Sequence, residues 1–330
     1  MHIGVNKVNN NAYSLNGLID PPANLQGAVI DAHAMWRMAC ALGYEHIGFS
    51  GADPCTLPTS NTPALLVDEG ATSAALFRVI DQIIEQVRIG DQVLITFSGH
   101  GSLLPRSVCP STPGAPYQQA HVWCLHDTPL IETELTARFQ CMPGVKVIVV
   151  ADCCEAGQYS GELWRDLLVK FASFRDIAFR SLASSESLTR FLAEIQDAEG
   201  HGLISTSQER QMPVLQLFAA FLDKGGAQFL DRALCAIPPC SDASQRSQTV
   251  YYRLASCLPT QRAGEDKDVG GYFTFELSKI IADPSNNKQS IFEIVEPIGL
   301  EITPQTPNCV QMGCKDEWIT SGPAFRIQYR

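Results

Sequence analysis

A chain of 330 residues is larger than a minimal domain yet fits one large α/β unit with elaborated loops, and 45% hydrophobic against 18% charged residues argues against disorder. A formal net charge of -11 argues against nucleic acid as a partner, because binding a phosphate backbone rests on clustered Lys and Arg. The 12 cysteines, scattered through so long a chain, read mostly as buried thiols and not as the disulfide framework of a small secreted domain.

No basic segment followed by an apolar stretch opens the sequence, and no apolar run approaches the roughly 20 residues that span a bilayer, so a cytoplasmic protein without a membrane partner is expected. Residues 1–5 read as a strand. From 24 to 42, Leu25, Ala28, Val29, Ala32, Met35, Trp36 and Ala39 recur on one helical face, with Asn24 as N-cap and Gly43 as stop. A strand is expected near 46–50. Leu76, Val79, Ile80, Ile83 and Val87 mark a second helix, which ends in the Gly90-Asp91 turn and feeds the apolar strand 93–97. The Pro-, Ser- and Gly-rich stretch 103–119 reads as a surface loop. Residues 145–151, Val-Lys-Val-Ile-Val-Val-Ala, are β-branched and nearly continuous, as in a parallel strand covered on both faces. Beyond them, helices are expected near 163–171, 188–195 and 272–281, strands near 250–256 and 325–329, and a loop over 235–248 around Pro238-Pro239. Strands alternating with helices predict a layered α/β sheet in a single domain, 1–330, with elaborated loops around 102–120 and 158–248.

In such a sheet ligands bind where the strands end at their carboxyl termini, so residues just past those ends are the first candidates for chemistry. One strand ends in Ser98-Gly99-His100-Gly101, where flanking glycines leave the imidazole unshielded. Another ends in Asp152-Cys153-Cys154-Glu155-Ala156-Gly157. If the two strands are neighbours, the histidine supplies the proton acceptor that turns a thiol into a nucleophilic thiolate. Taken singly, a strand-end Cys is more often a small buried hydrophobe, and Gly-His-Gly only a loop.

Ser-Gly-His-Gly after one strand and Asp-Cys-Cys-x-Ala-Gly after a later one resemble the His and Cys boxes of the metacaspases and bacterial orthocaspases. His2-Ile3-Gly4-Val5-Asn6 and Leu25-Gln26-Gly27-Ala28-Val29-Ile30-Asp31-Ala32 are similar to that family's first strand and first helix. The resemblance is strongest over 1–160; further on, residues 251–261 and Gly271-Tyr272-Phe273-Thr274 resemble the substrate-groove strand and the helix after it. It implies a caspase-like α/β fold: a three-layer sandwich whose mostly parallel central sheet of about six strands is flanked by helices. It also implies a cysteine endopeptidase with no cofactor. His100 would be the general base and Cys154 the nucleophile, with Cys153 structural, because the family uses the third position of its Asp-x-Cys box. The backbone N–H groups of Gly101 and Cys154 would form the oxyanion hole, and Asp31, Ser98 and Asp152 would line a pocket for a basic P1 side chain. The implied partner is a protein or peptide substrate with Arg or Lys at P1, in some relatives a dedicated target in a cell-death or defence system.

The chain also departs from the family. Calcium-activated metacaspases carry an acidic cluster after the His box, whereas residues 99–120 contain no Asp or Glu; Asp127, Glu132 and Glu134 fit a strand end and a helix start better than an ion site. Calcium-independent activity is therefore expected. Ile30 stands where the family has Asn, and Glu155 where His is common. The competing readings are a non-catalytic caspase-like scaffold that binds peptide or protein partners, and a zinc site from Cys235-x4-Cys240 with Cys309-x4-Cys314, which no nearby histidine pattern completes. His33, His121, His126 and His201 read as solvated or packing residues. Arg165, Lys170, Arg175, Arg180 and Arg190 are candidate points of self-cleavage.

Overall fold

The computed structural model describes residues 1–14, 21–48, 56–105, 119–154, 220, 249–258, 261, 263–283, 286, 289–302, 305–313 and 324–325. Its centre is a six-stranded sheet of β1 (His2–Gly4), β2 (Leu65–Val67), β3 (Gln92–Ser98), β7 (Lys146–Asp152), β8 (Val250–Ala255) and β11 (Asn308–Gly313), in the order β11-β8-β7-β3-β1-β2. Every pairing is parallel except that of the edge strand β11 with β8. A three-stranded antiparallel meander, β4 (Gly101–Pro105), β5 (Gln119–Cys124) and β6 (Pro129–Ile131), and a small hairpin, β9 (Glu265–Asp266) with β10 (Gly270–Gly271), complete the strands described.

Among the described residues the α-helices with stated bounds are α1 (Asn10–Tyr13), α2 (Ala28–Ala41), α3 (Ser73–Gln86), α4 (Glu132–Phe139), α5 (Tyr272–Ala282) and α6 (Ile291–Glu301). The period-two alternation of strand side chains divides the core between the two faces of the sheet. Val147, Val149 and Ala151 of β7 point into a cluster with Leu76, Val79, Ile80 and Ile83 of α3 and with the meander. Ile148 and Val150, from the same strand, point the other way, onto Met35 and Ala39 of α2, Phe273 and Leu277 of α5, and Ile294 and Ile298 of α6. Helix, sheet and helix thus form the expected three layers, with all seven residues of β7 buried. Full burial of one such side chain contributes roughly 1.5–3 kcal/mol. An exposed ion pair such as Lys279–Glu276 contributes about 0.2–1 kcal/mol. The two apolar faces therefore dominate the stability.

Several elements differ from expectation. His46 is not in a strand; its ring stacks on Trp36 at 3.6 Å, and the strand that pairs with β1 is Leu65–Val67. The start of the stretch read as loop, up to Pro105, is strand β4, and Gln119 opens β5. α2 begins at Ala28, not at Asn24, and its cap comes from outside the helix: Asn6 Oδ1 accepts from Ala28 N–H at 2.9 Å and Val29 N–H at 3.3 Å. The last strand is Asn308–Gly313, whereas Phe325 lies outside any strand. α6 was not anticipated, because Pro297 and Gly299 interrupt its sequence, although Ile291, Ile294, Val295 and Ile298 keep one buried face. The expected helices at 163–171 and 188–195, the loop at 235–248 and residues 326–330 lie outside the described residues. Among the described residues no helix is long and apolar enough to cross a membrane.

Candidate active site

Parallel pairing of β3 with β7 sets the geometry. Ser98 and Asp152 are register partners at the carboxyl ends of these adjacent strands. His100 and Cys154 each follow two residues later, so equal offsets from a paired position bring both boxes to the same rim of the sheet. Gly101 shows how close the two segments run. A Cβ there would lie 2.6 Å from the Cys154 carbonyl oxygen and 2.8 Å from Cys153 Sγ, so only glycine fits. His100 and Cys154 are both fully buried.

The backbone around Ala23 orients the histidine. His100 Nε2 lies 2.8 Å from the Ala23 carbonyl oxygen. A carbonyl only accepts, so Nε2 carries a proton and Nδ1 is the nitrogen left to act as a base when the ring is neutral. No side chain encodes this contact, which is why sequence reasoning missed it.

The two cysteines face different surroundings. Cys153 belongs to the large core beneath the sheet, and burial pushes its thiol well above the usual range. Cys154 belongs to a separate small cluster with Cys257 and Ala263, and its Sγ accepts a hydrogen bond from Ala263 N–H at 3.1 Å. Burial likewise pushes Cys257 up to about 12. Among the described residues Cys124, Cys141 and Cys309 are likewise outside any disulfide, whereas Cys40 in α2 is disulfide-bonded.

Beside this pair, three further expected residues meet. Ser98 Oγ donates to Asp31 Oδ2 at 2.6 Å. Asp31 Oδ1 accepts from Gly271 N–H at 2.8 Å, and Asp152 Oδ2 accepts from Thr274 N–H at 3.0 Å and Thr274 Oγ1 at 2.7 Å. Asp31, Ser98 and Asp152 are all buried. The β9–β10 hairpin is tied to the same place: Glu265 accepts from Gln26 N–H at 2.8 Å and Gly27 N–H at 3.0 Å, just ahead of α2. Gly270, at φ +88, packs so closely that a Cβ would sit 2.2 Å from Asp31 Oδ1. Glu265, Thr274 and the Gly271 N–H lie some 120 to 240 residues along the chain from their partners, a separation no local pattern reveals.

The other candidates lie elsewhere. Asp127 accepts from Ser73 N–H and Oγ at the start of α3, Glu134 caps α4, and Glu132 forms a buried ion pair with Arg253 at 2.9 Å. His33 is half-buried, His126 Nδ1 donates to the Lys7 carbonyl, and burial pushes His121 well below the usual histidine range. Cys309 lies in β11, while Cys235, Cys240, Cys314 and His201 fall outside the described residues. Among the described residues no three His, Cys, Asp or Glu side chains cluster to hold a metal ion.

A mostly parallel sheet between helical layers, with histidine and cysteine boxes at adjacent strand ends, is a caspase-like architecture. The sequence model of the caspase domain (peptidase C14) matches residues 8–317, and the chain belongs to this family, a family of cysteine peptidases. Its structure is similar to protein GSU0716 from Geobacter sulfurreducens, at 20% identity and a TM-score of 0.63 over 99% of this chain and 98% of that one. It can also be superposed on caspase-1 from Spodoptera frugiperda, at 10% identity and a TM-score of 0.49, covering 99% of this chain and 90% of that one. No curated protein sequence matches the chain.

Proposed function

We propose that this chain is a cysteine endopeptidase of the metacaspase and orthocaspase type, with Cys154 as nucleophile and His100 as general base. The observation that carries this reading is the shared register of Ser98 and Asp152, from which both residues follow at the same offset. His100 Nδ1 takes the thiol proton, the thiolate attacks the scissile carbonyl, and the imidazolium then protonates the leaving amine. The N–H groups of Gly101 and Cys154 hold the oxyanion of the tetrahedral intermediate. Cys154 is fully buried and its Sγ accepts from the Ala263 N–H, so attack on a substrate requires this contact to open.

Asp31, Ser98 and Asp152 form the P1 pocket. Two carboxylates suit a guanidinium or ammonium group, whereas a P1 Asp adds a third negative charge in a desolvated site, a difference of roughly a thousandfold or more. The substrate is thus a protein or peptide cut after Arg or Lys, and a dedicated target in a cell-death or defence system fits this chemistry. Activity needs no calcium, since residues 99–120 hold no Asp or Glu and the acids that follow in sequence, Asp127, Glu132 and Glu134, already cap helices or pair with Arg253. A cytoplasmic location is proposed too, although the disulfide at Cys40 weighs against a reducing compartment.

The burial of Cys154 also favours a second reading, a scaffold that binds peptides without cutting. One panel separates the two: fluorogenic peptides identical except for Arg, Lys, Ala or Asp at P1, assayed with and without chelator. Hydrolysis of the Arg and Lys peptides alone, unchanged by chelator, is expected. Preference for Asp would remove the pocket assignment, collapse in chelator the calcium argument, and inertness toward all four would leave the scaffold.

A further inference from the structure

We infer that Thr274 is a positioning residue for P1 selectivity, acting through Asp152. The inference rests on the reading of Asp31, Ser98 and Asp152 as a pocket for a basic side chain. α5 starts at Tyr272 with Gly271 as N-cap, and no side-chain hydrogen bond from its own cap residue serves its first turn. A helix start exposes N–H groups that need acceptors, and it favours negative charge. Here two carboxylates from remote elements meet that need: Asp31 from α2 takes Gly271 N–H, and Asp152 from the end of β7 takes Thr274 N–H. The start of one helix therefore sets the orientation of both acids.

Thr274 contributes most to this arrangement. Its N–H and its hydroxyl converge on the same oxygen, Asp152 Oδ2, at 3.0 and 2.7 Å. Both residues are almost fully buried, so these bonds are not exchanged with water. Two donors on one oxygen fix the carboxylate's rotation about its Cβ–Cγ bond. A guanidinium or ammonium group entering the pocket then meets an acceptor already in place, and no binding free energy goes into ordering it. Without the hydroxyl Oδ2 loses one of its two Thr274 donors, the carboxylate is held less firmly, and a basic P1 group must fix it on binding.

This role separates from a merely structural one, because a P1 Ala does not reach the carboxylates. Steady-state kinetics on peptides ending in Arg and in Ala, with wild type, Thr274→Val and Thr274→Ser, provide the test. Thr274→Val should raise KM for the Arg peptide about tenfold with kcat within about twofold, while the Ala peptide is unaffected, so that the Arg-to-Ala ratio of kcat/KM falls about tenfold. Thr274→Ser, which keeps the hydroxyl, should restore the ratio to within about twofold of wild type. An unchanged ratio in Thr274→Val, or an equal loss on both peptides, would overturn the inference while the basic pocket stands. A wild-type enzyme without preference for Arg would instead remove the pocket reading itself, and this inference with it. Should Thr274→Val not fold, Thr274→Ala gives the same ratio to read.

Discussion

Cys153 and Cys154 show how two adjacent identical residues take different roles. Neighbours in extended backbone point to opposite faces, which sends one thiol into the main core and the other to the small cluster at the sheet rim. Cys153, pushed well above the usual thiol range by burial, stays protonated at neutral pH and is a poor nucleophile. Replacing Cys154 with Ala is expected to lower kcat/KM by about a thousandfold or more, and replacing Cys153 with Ala by no more than about threefold, with a small loss of thermal stability. Peptidase assays on both variants check this, and loss of activity in Cys153→Ala alone would reverse the assignment. At this level the sequence marked candidate side chains that stand in boxes, but not the contacts of the Glu265 carboxylate or the Thr274 hydroxyl, whose partners are remote along the chain. His100, Cys154, Asp31, Ser98 and Asp152 all stand in recognisable boxes. The Ala23 carbonyl, the Gly271 N–H and the Ala263 N–H are backbone groups, and nothing in a sequence marks which backbone group will face a given side chain.

Elements were legible in proportion to how local their causes are. β7 is continuous and β-branched because both of its faces are covered, and α3 shows its stripe because one face meets the sheet while the other meets water. Their boundaries follow closely. The start of α2 was misplaced because its caps are Asn6 and Glu265, both brought in by the fold and neither within the helix. β2 was missed because three residues are too few to display a period, and its place was given to the segment around His46, whose apolar character serves packing on Trp36. β4 was hidden by the composition of the segment after it. α6 carries Pro297 inside the helix, which costs a backbone hydrogen bond and reads as a break, yet its buried face holds it against α5.

The molecule as a whole has a second buried polar centre, between β1 and α2, that makes stability depend on pH. His2 in β1 and His46 lie with ring centroids 5.8 Å apart, next to Trp36 and to the Met1 amine, which donates to the Leu94 carbonyl. Burial, reinforced by the charges of the Met1 amine and of His46, pushes His2 well below the usual histidine range, and burial together with the Met1 amine pushes His46 down to about 4. The sign follows directly. Below about pH 6.5 the unfolded chain takes up these protons and the folded chain does not, so stability falls with falling pH, by at most ~1.4 kcal/mol per pH unit for each group. Above that pH the two histidines are neutral in both states, while the Met1 amine, which burial lowers from its usual 8.0 to about 5, extends the same decline up to about pH 8. Thermal melts between pH 7.5 and 4.5 should show a declining Tm, and His2→Asn should flatten part of that slope; a Tm constant across the range would contradict the burial of this cluster.

The central claim is that Cys154, served by His100 and approached through a pocket for basic side chains, attacks the substrate. Incubation of the folded protein with a peptidyl-arginine chloromethyl ketone, followed by intact-mass measurement and peptide mapping, tests it most directly. One adduct is expected, on Cys154, absent from Cys154→Ala, strongly slowed in His100→Ala, and not formed by the aspartyl analogue of the reagent. An adduct on Cys153 or Cys257, or equal labelling by the arginyl and aspartyl reagents, would contradict it.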